Sequence, residues 1–142
     1  YEEMNTLVLR IKDYNFAQAV EYITTIKENI YRQSAMKGLA SFYAFSAGKK
    51  DFNRVLSICA QFKNEKKSCI YSFALGLVEH GIPKKEFDNA FIFCGSDQLN
   101  QSNAAECFQQ VLNSVAFLYT KDKMAIVCRN IKKEYQYLCA IF

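Results

Sequence analysis

The chain has 142 residues, 51% apolar and 23% charged, with a net charge of +4. That length suits one ordinary domain or about four helical hairpins, and the balance excludes a disordered chain. No apolar run approaches the ~18 residues of a membrane span, and the charge permits a phosphate-binding edge without demanding one.

One Pro and five Gly are too few for a many-turned β protein. Regular β alternation is also missing, so the fold class is all-α. Met4, Leu7, Val8 and Ile11 fall at helical spacing, which predicts an N-terminal packing helix over 2–12. Phe16, Ala19, Val20, Ile23 and Ile26 mark the next helix. After a turn at Glu28-Asn29, the stripe Ala35, Met36, Leu39, Ala40, Tyr43 and Ala44 marks its partner. Gly48 stands where a helix C-terminal glycine is expected, closing a hairpin over 16–48.

The clearest hairpin runs over 51–81. Phe52, Val55, Leu56 and Ile58 form one apolar face, and Lys63 to Glu65 form a polar turn. Cys69, Ile70, Phe73, Ala74, Leu77 and Val78 form the second face. A third hairpin over 84–120 opens after Pro83, placed where a helix begins. It carries Phe87, Ala90, Phe91 and Cys94, a stop at Gly95, and a polar stretch Ser96 to Ser102. Ser102 is the expected N-cap of a helix that buries Cys107, Phe108, Val111, Leu112, Val115 and Ala116. The last hairpin, 121–142, uses Met124, Ala125, Val127 and Cys128, then Tyr135, Leu138, Cys139 and Phe142. A period of about 35 residues predicts an α-solenoid of about four stacked antiparallel helix hairpins in a single domain. The chain opens at Tyr1 and stops inside an apolar helix, so it reads as a piece of a longer protein.

Six cysteines fall in three local pairs, Cys59 and Cys69, Cys94 and Cys107, Cys128 and Cys139. Each pair brackets a hairpin turn. Two readings fit: disulfide staples in an exported protein, or buried apolar thiols at tight helix contacts. The second is preferred, because four hairpins of this size do not need staples to fold. It carries with it an intracellular setting, in the cytoplasm or an organelle. His80 is the only histidine, and no two cysteines show zinc-ligand spacing, so no metal and no cofactor is expected. No nucleophile, base and oxyanion donor come together, which argues against an enzyme.

The run FNRVLSICAQF, then LVEHGIP, then FDNAFIFCG resembles pentatricopeptide (PPR) repeats. Phe52-Asn53 and Phe87-Asp88 match the opening pair, Cys59 and Cys94 the cysteine position, and Gly81 and Pro83 the linker. The resemblance covers Asp51 to about Val115. It implies that a polar residue on each first helix lines the concave side and reads a base of single-stranded RNA. That position falls on Asn53 and on Asp88 or Asn89. The same column holds Gln18 in the first hairpin and Lys123 in the last, with Arg54 and Arg129 near it. The sequence departs from the family at Lys84, where an acidic residue is usual, and in the loop 96–102. Tetratricopeptide-like (TPR) repeats share the hairpin stacking and usually bind peptides.

Two functions follow. One is a non-catalytic scaffold that binds another protein or a second copy of itself, with Tyr135, Tyr137 and Phe142 as a partner surface. The other is single-stranded RNA binding along the stripe Gln18, Asn53, Arg54, Asp88, Asn89 and Lys123. The first is preferred, because Tyr is abundant and the charge is modest.

Overall fold

The computed structural model of the chain describes residues 15–141. The helix expected over 2–12 and the partner-surface residue Phe142 lie outside the described residues. Among those described, the structure is all-helical and has no strand. Helix α1 is Phe16–Thr24 and α2 is Asn29–Ser46. A 3₁₀ turn, Lys49–Asp51, leads into α3, Phe52–Ala60, and then α4, Lys66–Glu79. Helices α5 (Asp88–Cys94), α6 (Gln101–Ala116) and α7 (Lys121–Asn130) follow, and a 3₁₀ helix, Lys133–Ile141, ends the described chain.

Chain neighbours pack as pairs: α1 with α2, α3 with α4, α5 with α6, and α7 with the terminal 3₁₀ helix. The second members also pack in series, α2 on α4, α4 on α6, and α6 on the terminal 3₁₀ helix. Helix α4 touches α2, α3, α5 and α6. That explains why it buries Cys69, Ile70, Ser72, Phe73, Ala74, Gly76, Leu77 and Val78 around most of its circumference. A helix buried on one side only shows a narrower stripe, as α1 does with Phe16, Ala19, Val20 and Ile23.

Rings run within the pairs and from one pair to the next. Phe16 stacks on Tyr43 at 4.4 Å, and Tyr43 meets Phe73 at 6.2 Å. Phe73 in turn meets Phe52 at 6.0 Å and Phe93 at 4.8 Å. Further on, Phe91 meets Phe108 at 5.7 Å, and Phe108 meets Tyr135 at 4.8 Å. Each contact adds about 0.5–1.5 kcal/mol beyond the area it buries.

The seam between α2 and α4 is closed by small residues. A Cβ at Gly76 would stand 2.7 Å from the Ser41 backbone and 2.8 Å from the Ala44 methyl. Backbone cannot swing aside as a side chain would. Gly76→Ala is therefore expected to destabilise the fold by about 1–3 kcal/mol, although alanine is the better helix former by about 1 kcal/mol. A urea titration measures it, and an unchanged or higher midpoint would remove the close-approach argument.

Several boundaries differ from the sequence reading. Gly48 follows the Ala47 C-cap but is extended, and no described glycine takes positive φ. The left-handed conformation falls instead on Lys84, at φ 72. Its amide donates to Glu86 Oε1 at 3.0 Å, and turns carry the chain as far as Asp88. Helix α5 thus begins five residues after Pro83 and not at it. Helix α6 begins earlier than expected, because Asn100 and not Ser102 is its N-cap. Asn100 Oδ1 accepts from the Asn103 amide at 2.8 Å.

All six cysteines are joined, Cys59 to Cys69, Cys94 to Cys107 and Cys128 to Cys139, with Cα separations of 5.6, 5.5 and 6.1 Å. This differs from the preferred reading of them as packing thiols. The first four are fully buried, while Cys128 and Cys139 are half-buried. The pair α1–α2 carries no such bond, since Thr24 and Ala35 stand there. Its turn is tied by Arg32, whose Nη1 donates to Ile26 O at 2.9 Å and whose Nη2 donates to Asn29 Oδ1 at 2.9 Å. Arg32 Nε also pairs with Glu65, a buried carboxylate in the turn of the next pair.

Candidate binding face

The six residues of the expected stripe all lie in first turns of alternate helices. Gln18 is in α1, Asn53 and Arg54 in α3, Asp88 and Asn89 in α5, and Lys123 in α7. Local capping explains the placement at both ends of the chain. Asn15 Oδ1 accepts from the Gln18 amide at 3.2 Å, and Thr120 Oγ1 accepts from the Lys123 amide at 3.4 Å. Gln18, Asn53, Arg54, Asp88 and Asn89 are exposed, whereas Lys123 is half-buried with its Nζ 5.6 Å from the centre of the Tyr119 ring.

One helical turn beyond the polar column stand Tyr22, Ser57, Ile92 and Ile126, all exposed. Residues three or four apart share a helix face, so each first helix offers a polar group and then a second exposed group below it. In α5 that second group is Ile92, 48% exposed. Ser57 is partly engaged, its hydroxyl donating to Asn53 O at 2.9 Å and standing 3.4 Å from Gln98 Oε1.

Of the stripe, the structure brings Asp88 into a cleft of about 540 Å³. Phe87, Phe91 and Ile92 form its apolar wall. Lys49, Asn130 and Lys132 bring the polar groups. The Lys132 side chain is pinned, with Nζ donating to Gly95 O at 2.7 Å. Contact between the 3₁₀ turn Lys49–Asp51 and α5 delivers Lys49 to the rim. The remaining stripe residues do not line this cleft. Lys49, Asn130 and Lys132 were not expected from the sequence as site residues, although Lys49-Lys50 and Lys132-Lys133 are adjacent lysines in it.

The expected partner surface divides. Tyr137 is 65% exposed. Tyr135 is not available, being 7% exposed against Phe108 in the core. The helical spacing of 135, 138 and 139 marks an inner face, and α6 covers it.

Away from the cleft, one polar tie joins successive pairs, α4 to α6, and another spans the pair α5–α6. The Tyr71 hydroxyl donates to Glu106 Oε2 at 2.5 Å, and Lys67 stands 3.3 Å from the same carboxylate. The Tyr119 hydroxyl donates to Glu86. The hydroxyl from Tyr119 holds the Glu86 carboxyl below its ordinary 4.5, and that from Tyr71, with Lys67, does the same for Glu106. Burial first, and the Glu86 carboxylate second, push Tyr119 up to about 12. A carboxylate with a depressed folded-state pKa stabilises above its unfolded value and loses that contribution as pH falls through the lower folded value. The double variant Tyr71→Phe, Tyr119→Phe is therefore expected to melt below the parent near neutrality. The gap should close as pH falls below 4.5. Melting temperatures across an acid pH series test this, and a gap of constant size would show that the tyrosines act through packing alone.

Among the described residues no cluster of His, Cys, Asp and Glu could hold a metal ion, and no helix is long and apolar enough to cross a membrane. Comparison with known proteins finds no matching family model, no matching curated protein and no matching solved structure.

Proposed function

We propose that this chain is a non-catalytic α-solenoid module of four stacked hairpins that binds a segment of another protein along its first helices. The observation that carries the reading is the cleft at α5. Its apolar wall of Phe87, Phe91 and Ile92 lies beside Asp88, Asn130 and two lysines. Such a lining suits a peptide, whose side chains alternate between apolar anchors and groups that pair with charge. The likeness of 51–115 to helical-repeat sequences supports the same reading. The three joined cysteine pairs support an exported, oxidising setting, where such bonds persist.

A second reading, single-stranded RNA along Gln18, Asn53, Asp88 and Lys123, draws on Lys49 and Lys132 at the cleft. The Asp88 carboxylate beside them counts against a phosphate there. Panning a displayed random-peptide library on the oxidised chain tests the proposal. Enriched peptides should bind the parent, lose affinity for Ile92→Glu and Lys132→Glu, and keep it for Ile30→Glu, an exposed residue of α2. Enrichment indifferent to Ile92 and Lys132 would sink the cleft. Retention of an RNA oligomer that weakens steeply with salt would favour the second reading. A molar mass that rises with concentration would make a second copy the occupant.

A further inference from the structure

The loop between α5 and α6 carries Asn100-Gln101-Ser102, the acceptor pattern for N-linked glycosylation, with no proline between Asn and Ser. We infer that Asn100 is a glycan attachment site and that its modified amide still caps α6. The inference rests on the oxidising-compartment reading, since the sugar donor works on chains delivered to the same compartment in which disulfides form.

Three observations carry it. First, Asn100, Gln101 and Ser102 are all exposed, so the acceptor is reachable and a bulky glycan displaces no packed side chain. Second, the two polar atoms of the Asn100 side chain have separate uses. Oδ1 accepts from the Asn103 amide at 2.8 Å, while Nδ2 has no partner among the described residues. Nδ2 is the atom that a glycan takes. The joined amide keeps its carbonyl oxygen, so the cap bond survives modification. Third, the backbone at Asn100 is extended, at φ −68 and ψ 164, which presents the side chain ahead of the helix and not along it.

The transfer balances without any redox partner. A polyprenyl-diphosphate-linked oligosaccharide supplies the anomeric carbon. Its bond to the diphosphate oxygen breaks, a bond to Nδ2 forms, one Nδ2 proton leaves, and the polyprenyl diphosphate departs.

The test uses the chain from its own cells, and variants secreted from a eukaryotic cell line behind a cleavable leader. Peptide N-glycosidase should shift the parent band once, downward, and convert Asn100 to Asp in the peptide that contains it. Ser102→Ala should abolish the shift while leaving the cap intact. Asn100→Asp should abolish it too, and should melt with the unglycosylated Ser102→Ala form, because Asp caps as well as Asn. Non-reducing peptide mapping on the same samples separates the two readings. Disulfides found with Asn100 bare would overturn the glycan and leave the oxidised setting standing. A glycan found with free thiols would uphold the site and remove the staples. Neither found would overturn both.

Discussion

Reducing the three disulfides is expected to remove most of the stability of this chain. The bonds close loops with sequence separations of 10, 13 and 11. Loops of that size are worth about 2–3 kcal/mol each, mainly through the unfolded chain. Lost together they rival the 5–15 kcal/mol that holds a typical domain folded. The loss should also be ordered. Cys128 and Cys139 are half-buried, whereas Cys59, Cys69, Cys94 and Cys107 have no accessible surface. A thiolate reaches a disulfide only where the sulfur is open to attack. Under a mild dithiol, alkylation should mark Cys128 and Cys139 first, and the other four only with global unfolding. The double variant Cys128→Ser, Cys139→Ser should keep most of its helix. Urea midpoints with and without reductant measure the total. Equal midpoints would show that packing alone suffices, and simultaneous labelling of all six would refute the order.

Phe73→Ala is the second large effect, at about 3–5 kcal/mol with the disulfides intact. Phe73 is fully buried in α4 and touches Tyr43, Phe52 and Phe93. Those rings come from three successive helix pairs, so one truncation opens a cavity shared by all of them. Relaxation into that cavity would have to move α2, α3 and α5 together, and close-packed helices resist this. Phe73→Leu keeps most of the volume and should cost less than about 2 kcal/mol. Chemical denaturation followed by circular dichroism gives both numbers. Equal losses for the two variants would mean that the rings matter and the volume does not.

The sequence shows most clearly the features that repeat locally. Apolar stripes such as Cys69, Phe73 and Leu77 predict helices because a helix face recurs every three to four residues, and the observed α4 buries that stripe. The cysteine pairs are also visible as pairs. Their bonding state is not, since a packed thiol and a half-cystine occupy the same positions. Lys84 is hidden for another reason. Glycine would be the expected left-handed residue, and here a hydrogen bond to Glu86 helps hold a lysine in that region. Asn100 and Ser102 carry equally good capping side chains, so spacing alone does not choose between them. Of the candidate binding face, the polar column is readable as a period. The cleft is not, because Lys49, Asp88, Asn130 and Lys132 meet only through packing between distant segments. Tyr135 shows the converse: a periodic aromatic marks an inner face without revealing that α6 covers it.

Each disulfide closes a loop within one helix pair, and none joins one pair to another. Under tension applied at the two ends, the covalent bonds therefore lie outside the contacts that give way first. The ring and polar contacts between pairs would separate in succession. Each bond then holds back roughly 30–40 Å of chain that an unbridged hairpin would release. The molecule should lengthen in short steps and recoil readily, because every released pair keeps its own turn closed. Among the described helix pairs, α1–α2 has no disulfide across its turn, which is held by the Arg32 hydrogen bonds, so it is the one that can be drawn out to its full length.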